Sequence, residues 1–355
     1  MDARPVRLTV ALLTTASLAV GALTGCTSSP GAGTLAAIGS SVSAIPSPAA
    51  PSAPSTEATA TSASATPSPS STGPAVSQSV VQLQPGTSDE ASGIAASMSM
   101  PGDYFLIDDG TGTGQVVAVG SDGAVVARID VDGMSASNAE ALASGSCGQT
   151  PLPDDSTPGN CLYVGDIGDN SAGRDDIAIF RFAEPDLTSP PSDPVAADDE
   201  WRYTYPDGPQ NAEAMLATPD GSLLVVTKPP AKGGLPHRMY RAEPGGGELI
   251  FVREFQPPPA QVPLRTLFTG NVVTDLASSP GRVLLLTYDE VQEFTAPDPA
   301  ADLSTFPDWP HRRVPAPALA QAEGITSALD GCGYTLASEA GPGGKNGSLG
   351  IVSCG

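Results

Sequence analysis

Five copies of one short phrase place oxygen-bearing side chains at intervals along this chain. Each copy has an oxygen-bearing residue, then a small residue, then a branched or long apolar residue. The copies are Ser92-Gly93-Ile94, Glu140-Ala141-Leu142, Glu213-Ala214-Met215, Thr274-Asp275-Leu276 and Glu323-Gly324-Ile325. Carboxylate and hydroxyl oxygens, without His or Cys, suit Ca²⁺ rather than Zn²⁺. If the five first residues meet in space, the chemistry they would do together is cation binding.

The spacing of the phrases predicts how they would meet. They recur roughly every 50 residues, and β-prone runs follow each one, which is typical of the blades of a β-propeller. The first strand of each blade lines the central channel, so the first residues should form a ring. The ring would contain Ser92, Glu140, Glu213, Thr274 and Glu323. Three carboxylates with no basic neighbour either take up protons or bind a cation, and we expect Ca²⁺ there. A water-filled channel with polar walls is the alternative.

The β-prone runs predict an all-β fold with five blades. Second strands are expected at 104–107, 162–165, 223–227, 283–288 and 333–337. A six-bladed propeller is the alternative, with a hidden blade in 184–210 or 243–270, although proline-rich stretches of this kind favour loops. The last blade has no fourth strand of its own, and the orphan run Ser79–Leu83 can supply it. We therefore expect an N-terminal strand to close the last blade and remove its open edge.

The cysteines predict two disulfides. Five Cys are present, and setting aside Cys26, discussed below, leaves an even number, which suits an oxidising compartment. Of the three possible connectivities we favour Cys147 with Cys161 and Cys332 with Cys354, because the predicted strands make each pair neighbours. A hairpin that pairs Glu339 with Gly347 places Cys332 opposite Cys354.

The N-terminal region predicts export and a lipid anchor. Residues 1–25 have two arginines, an apolar run too short to cross a bilayer comfortably, and small residues before a cut site, as in a signal peptide. Leu23-Thr24-Gly25-Cys26 resembles the bacterial lipobox, so Cys26 is expected to carry the lipid. An ordinary signal peptide with an incidental Cys is the alternative. Residues 26–76, rich in Ser, Thr, Ala and Pro, read as a disordered tether, and residues 77–355 as one domain.

The charge of the chain excludes one class of partner. The net charge is −23, and a field of that sign repels nucleic acid and anionic lipid headgroups while it attracts cations. An acidic surface that serves solubility alone is the alternative. We therefore expect no nucleic acid partner, and contact with a membrane only through the lipid anchor on its outer face.

A second acidic set is expected on the rim around the ring. Strands alternate in direction within a blade, so the loop after each second strand lies on the same face as the start of each first strand. This face should hold Asp108, Asp109, Asp166–Asp176, Lys228, Asp289, Glu290 and Glu339. Asp166, Asp169 and Asn170 offer three oxygen donors within five residues and could hold a second cation, with solvated turn residues as the alternative.

The phrases also carry a resemblance to a known family. The order Ser, Glu, Glu, hydroxyl, Glu, with Leu162-Tyr163-Val164-Gly165 and Ala322-Glu323-Gly324-Ile325, resembles the calcium-activated nucleotidases (apyrases). The resemblance implies a five-bladed propeller with Ca²⁺ in its channel. Asp166–Asn170 followed by Arg174 resembles secreted propellers and lipoproteins of actinobacteria. The domain departs from the nucleotidases at Thr274, where they have Ser. It also holds only three Lys, whereas phosphate handling normally calls on Arg and Lys.

The sequence indicates a binding role more strongly than a reaction. It contains no GxSxG, HExxH or Walker motif, so no catalytic residue can be named. We expect a monomeric extracellular propeller that binds a small molecule, a peptide or a wall polymer or serves as a scaffold. The alternative is a Ca²⁺-dependent hydrolase of phosphate esters or glycans, with the ion polarising substrate or water.

Overall fold

The computed structural model describes residues 76–355 apart from 89, 111, 149–158, 231–233, 262–269, 342–343 and 345. The predicted signal peptide (1–25), Cys26 and all of the tether (26–76) except its last residue lie outside the described residues. No helix in the described part of the chain is long and apolar enough to cross a membrane.

The regular secondary structure of the described chain is almost entirely β-strand. In chain order the strands are β1 Val76–Gln82, β2 Ala91–Ala96, β3 Asp103–Asp108, β4 Gln115–Gly120, β5 Val125–Asp132, β6 Ala141–Ser146, β7 Asn160–Asp166, β8 Ile177–Ala183, β9 Val195–Ala196, β10 Asp199–Thr204 and β11 Ala212–Ala217. They continue with β12 Leu223–Thr227, β13 His237–Ala242, β14 Gly247–Glu248, β15 Ile250–Phe255, β16 Val273–Ser279, β17 Arg282–Thr287, β18 Val291–Thr295, β19 His311–Val314, β20 Ala322–Ser327, β21 Tyr334–Ser338 and β22 Ser348–Cys354. One 3₁₀ helix, Leu303–Asp308, lies between β18 and β19.

These strands form five sheets, which are the five blades of a β-propeller. From the axis outward they are β2-β3-β4-β5, β6-β7-β8-β10, β11-β12-β13-β15, β16-β17-β18-β19 and β20-β21-β22-β1. The first two blades each have an additional two-residue outer strand. In the first blade β9 pairs in parallel with β5, and in the second blade β14 pairs in parallel with β10. The prediction of five blades is confirmed, and the described parts of 184–210 and 243–270 extend neighbouring blades instead of forming a sixth.

The predicted closure of the ring is also confirmed. Strand β1 pairs antiparallel with β22 over seven residues, from Val76 opposite Cys354 to Gln82 opposite Ser348. The last blade therefore takes its outer strand from the N-terminal side of the domain. The strand begins three residues earlier than the predicted run Ser79–Leu83. Leu83 follows β1, is buried, and packs in the core between the fifth and first blades.

The hydrophobic core consists of five clusters, one at each interface between neighbouring blades. Each cluster contains the third residue of one phrase, and these residues are Leu142, Met215, Leu276, Ile94 and Ile325. In every case the side chain packs against the preceding blade. The apolar third position is therefore explained by burial between blades, since removing that surface from water is the main favourable contribution to folding.

The second position of the phrase is small because the first strands pass close to one another. A Cβ added to Gly93 would lie 2.5 Å from the backbone N of Leu142 in the next blade. A Cβ on Gly324 would lie 3.1 Å from the backbone N of Ile94. Any larger side chain at Gly93 would therefore push two first strands apart.

Both predicted disulfides are present. Cys147 is bonded to Cys161, with Cα atoms 4.9 Å apart, and Cys332 is bonded to Cys354, with Cα atoms 6.1 Å apart. Strands β21 and β22 have the register that was predicted from the hairpin, with Ser338 opposite Ser348 and Tyr334 opposite Val352. The second bond therefore fixes the end of the strand to which β1 is paired.

Candidate functional site: the acidic mouth of the channel

The first residues of the five phrases leave the regular alternation of their strands. In four blades a β-bulge lies at this position, at Ser92, Glu213, Thr274 and Glu323. Glu140 directly precedes β6, and its backbone N–H donates to the carbonyl of Gly165 at 3.0 Å. A bulge re-aims a side chain, and all five side chains are buried. The structure therefore brings the predicted ring together at the start of the first strands.

The two hydroxyls of the ring join neighbouring blades. Ser92 Oγ donates to the carbonyl of Ala139 at 2.6 Å, directly before Glu140. Thr274 Oγ1 donates to the carbonyl of Ala322 at 3.4 Å, directly before Glu323. Both hydroxyl protons are thus used in contacts between blades, which gives these two residues a structural role in the ring.

The expectation that the ring has no basic neighbour is wrong. Lys228 Nζ bonds to the carboxylate of Glu213 and to the hydroxyl of Tyr288, and it lies 4.8 Å from the centre of the Tyr288 ring. The pKa of the Lys228 ammonium is raised because the charge of Glu213 outweighs the effect of burial. A fixed positive charge therefore already lies among the carboxylates.

Lys228 was predicted on the rim, and in the structure it belongs to a second level of the channel next to the ring. Asp109, Lys228, Tyr288 and Glu339 each directly follow the second strand of a blade. Three of them donate a backbone N–H to the residue two before a ring position: Asp109 to Glu90, Lys228 to Asn211 and Glu339 to Gln321. In the second blade the same bond comes from Gly168 to Asn138 at 3.2 Å, and a Cβ on Gly168 would collide with the side chains of Asn138 and Glu140.

Two amide side chains support the carboxylates of the ring. Asn138 Nδ2 donates to Glu140 Oε1 at 2.9 Å, and Gln321 Nε2 donates to Glu323 Oε1 at 2.7 Å. Each amide lies two residues before the carboxylate that it holds. The ring, the second level, Glu90 and these two amides together form what we call the acidic mouth.

The carboxyl groups of the acidic mouth hold protons more tightly than free carboxyls do. Burial raises the pKa of Glu140 to about 9, and the charge of Glu213 adds to the effect of burial. Burial also raises the pKa of Glu323 and of Glu339 to about 7, with repulsion from Glu213 and from Glu323 respectively adding to it. The ammonium of Lys228 does not cancel these effects. Burial and mutual repulsion therefore still disfavour the ionised form of the carboxyl groups in the mouth.

The side chains of the ring are bonded to neighbouring protein groups. The donors are oxygens, which suits Ca²⁺. However, Glu213 is held by Lys228, and both hydroxyls donate to backbone carbonyls. Within the described residues, no three His, Cys, Asp or Glu side chains converge closely enough to hold a metal ion. Calcium at the ring remains a prediction.

Arg174 supplies a positive charge at the predicted second cation position. Its guanidinium bonds both carboxylate oxygens of Asp166 at 2.8 Å. Asp169 accepts from the backbone N–H of Arg174 at 2.7 Å and from Ser171 Oγ at 3.2 Å, while Asn170 accepts from the side chain of Asn211. The three oxygen donors are therefore used by Arg174 and Ser171 of the same loop and by Asn211, directly before β11. On the first blade, Asp108 accepts from the hydroxyl of Ser88, and burial raises the pKa of Asp109.

Asp275 has a structural role that its position in the phrase does not predict. It occupies the small second position, yet its carboxylate is buried and accepts the backbone N–H groups of Leu276 and Ile325 at 2.8 Å each. It also accepts from the backbone N–H of Met215, and burial raises its pKa despite these donors. One side chain thus links the first strands of three neighbouring blades.

No protein-family model and no curated protein matches this chain. It is similar to the solved structure of hydrazine synthase from Kuenenia stuttgartiensis (13% identity over 73% of this chain and 70% of that chain, TM-score 0.35). It is also similar to a chain of the nidogen/laminin complex (9% identity over 70% of this chain and 72% of that chain, TM-score 0.37). A third similar structure is the holo form of the PQQ domain of pyranose dehydrogenase from Coprinopsis cinerea (10% identity over 78% of this chain and 97% of that chain, TM-score 0.38). At these TM-scores none of the likenesses carries an argument about this chain.

Proposed function

We propose that the protein is an extracellular ligand-binding β-propeller, held on the outer face of a membrane through Cys26, whose acidic mouth binds a positively charged ligand. The observation that carries this proposal is the excess of buried carboxyl groups over the single Lys228 in the mouth. The two disulfides support an oxidising compartment.

The electrostatics of the mouth favour a cation over other ligands. Asp109, Glu140, Glu213, Glu323 and Glu339 are coupled to one another or to Lys228 through their charges. A cleft lined by one sign of charge concentrates ions of the opposite sign. A bound cation also relieves the repulsion that adds to the effect of burial in raising the pKa of Glu140 and Glu323. The hydrolase alternative stays a prediction, and no catalytic step is assigned to these residues.

The shared chemistry is positive charge, and it can come from a calcium ion or from an amine. We expect one of two probes, calcium chloride or spermidine, to bind with one-to-one stoichiometry in calorimetry at pH 7.5 and low salt. A ligand that binds only the native state, at a free concentration of 100 times its Kd, adds about 2.7 kcal/mol to the free energy of unfolding. The melting temperature should therefore rise. Whichever probe binds identifies the source of the charge.

Matched variants localise the binding. Glu140→Gln removes a carboxyl group that is protonated in the free protein and that a bound cation should ionise, and Glu323→Gln removes one that is already partly ionised at this pH. Each should weaken binding at least about tenfold. Glu243→Gln removes a carboxyl group from an exposed position between β13 and β14 and should change affinity by less than about twofold. Lys228→Gln removes the competing internal cation, so it should tighten binding. If neither probe binds, or if Glu243→Gln weakens binding as much as Glu140→Gln, the proposal is wrong.

A further inference from the structure

The inner strands enclose a second compartment beyond the acidic mouth. A cavity of about 830 Å³ is lined by residues from all five first strands, β2, β6, β11, β16 and β20. The lining begins at the third residue of each phrase and continues toward the end of each strand. None of the five ring residues lines it. We call this cavity the chamber.

The side chains of the phrase separate the chamber from the mouth. The third residues Ile94, Leu142, Met215, Leu276 and Ile325 are buried and line the chamber at the end nearest the ring. Further along the strands the lining is made mostly of small residues, both apolar ones such as Ala96, Ala143 and Ala277 and hydroxyl-bearing ones such as Ser144 and Ser278. Five large apolar residues followed by small ones therefore create an apolar floor and an open space beyond it.

The chamber carries few charges for so acidic a protein. Among the described residues that line it, only Asp220, Arg241 and Asp302 are charged. Arg241 lies 3.2 Å from Asp220 and 3.6 Å from Asp302, and it also donates to Ser222 at 2.7 Å. In a protein of net charge −23, this lining offers an ionised ligand no counter-charge that is not already paired.

Two large apolar side chains of the lining are exposed. Met98, just after β2, is 40% exposed, and Leu329, just after β20, is 44% exposed. They lie on the first and fifth blades, which are neighbours in the ring. Apolar surface of this kind next to a concave, mostly apolar site is typical of ligand pockets, which usually measure roughly 300–1,000 Å³.

We propose that the chamber binds a neutral, mainly apolar small molecule. The walls of the chamber are the five first strands around one axis. A ligand must therefore enter along that axis, and a compact small molecule can do so. Bringing an ionised group into this lining without a free partner would cost several kcal/mol, which favours a neutral ligand. This site is separate from the acidic mouth, and its ligand is of a different chemical class.

The experiment uses Nile red, a neutral apolar dye whose fluorescence rises in apolar surroundings. Ser144 and Ser278 are half-buried residues of the chamber lining, and Ser189 is exposed and lies outside it. Ser144→Phe and Ser278→Phe each fill part of the chamber from a different blade, and Ser189→Phe is the matched control. The melting temperature of every variant shows whether it remains folded. The same titration is run with 8-anilinonaphthalene-1-sulfonate, an anionic probe.

The wild-type protein should bind one equivalent of Nile red saturably. Affinity should fall at least about tenfold in whichever of the two chamber variants is folded, and stay within about twofold in Ser189→Phe. The anionic probe should bind at least about tenfold more weakly than Nile red, and Glu140→Gln should leave Nile red binding unchanged. Absence of saturable binding, equal affinity in folded chamber variants, or preference for the anionic probe would each overturn the proposal.

Discussion

A chain that begins at residue 83 should melt at least about 10 °C below a chain that begins at residue 69. Strand β1 forms seven residue pairs with β22, and at about 1 kcal/mol per net hydrogen bond its removal costs several kcal/mol. A domain of this size loses roughly 2–4 °C for each kcal/mol. Removal also exposes β22 as an unpaired edge, which promotes association between chains.

A synthetic peptide of residues 76–82 provides the control for this truncation. Added to the shortened chain, it should restore part of the lost melting temperature, whereas a peptide of scrambled sequence should not. The closure would be refuted if the two chains melted within about 2 °C of each other. The same comparison tests whether the strand supplied by the N-terminal side is needed to keep the five interfaces together.

The free energy of unfolding should fall as pH rises from 7 to 9 in metal-free buffer. Free glutamate carboxyls lose their protons near pH 4.5, but in the folded protein Glu323 and Glu339 keep theirs to about 7 and Glu140 to about 9. The folded state then binds more protons than the unfolded state, so their contribution is present at low pH and is lost as pH rises. Each excess proton gives a slope of about 1.4 kcal/mol per pH unit.

The pH window is chosen because another buried group acts in the opposite direction below it. Burial lowers the pKa of His237 to about 4, so its contribution to stability grows as pH rises toward 6.5 and is complete by pH 7. Chemical denaturation at pH 7, 8 and 9 therefore excludes the contribution of His237 and reports on the buried carboxyl groups with raised pKa, which are those of the mouth and Asp275. Glu140→Gln should remove most of the slope between pH 8 and 9, while Glu243→Gln should retain it. An equal slope in Glu140→Gln would contradict the assignment of a high pKa to Glu140.

The fold could be predicted because its signals are local. Strand periodicity, the repeated phrase and the count of cysteines predicted five blades, the closing strand and both disulfides. The third position was recognisable because burial between blades requires an apolar side chain in every copy. Register then followed from one hairpin, since the pairing of Glu339 with Gly347 also places Cys332 opposite Cys354.

The contents of the channel could not be predicted from the phrase alone. Lys228 lies 15 residues after Glu213, and only the equivalence of positions after the second strands places it in the mouth. That equivalence predicted Asp109, Lys228 and Glu339 on the rim around the ring, but it did not predict that Lys228 bonds to Glu213. Asp275 was hidden for a different reason: its backbone partners are contributed by three blades, and no short sequence pattern encodes such contacts. The chamber depends on small residues from all five blades and has no motif.

The most direct test of the cation-binding claim counts the protons released when a cation binds. Calorimetric titration of calcium chloride and spermidine at pH 7.5 in two buffers of different ionisation enthalpy gives this number for whichever cation binds. At this pH Glu140 holds its proton in the free protein, and a cation in the mouth should expel it. We predict release of about one proton per cation in the wild type and close to none in Glu140→Gln. Binding without proton release, or equal release in the variant, would contradict the account.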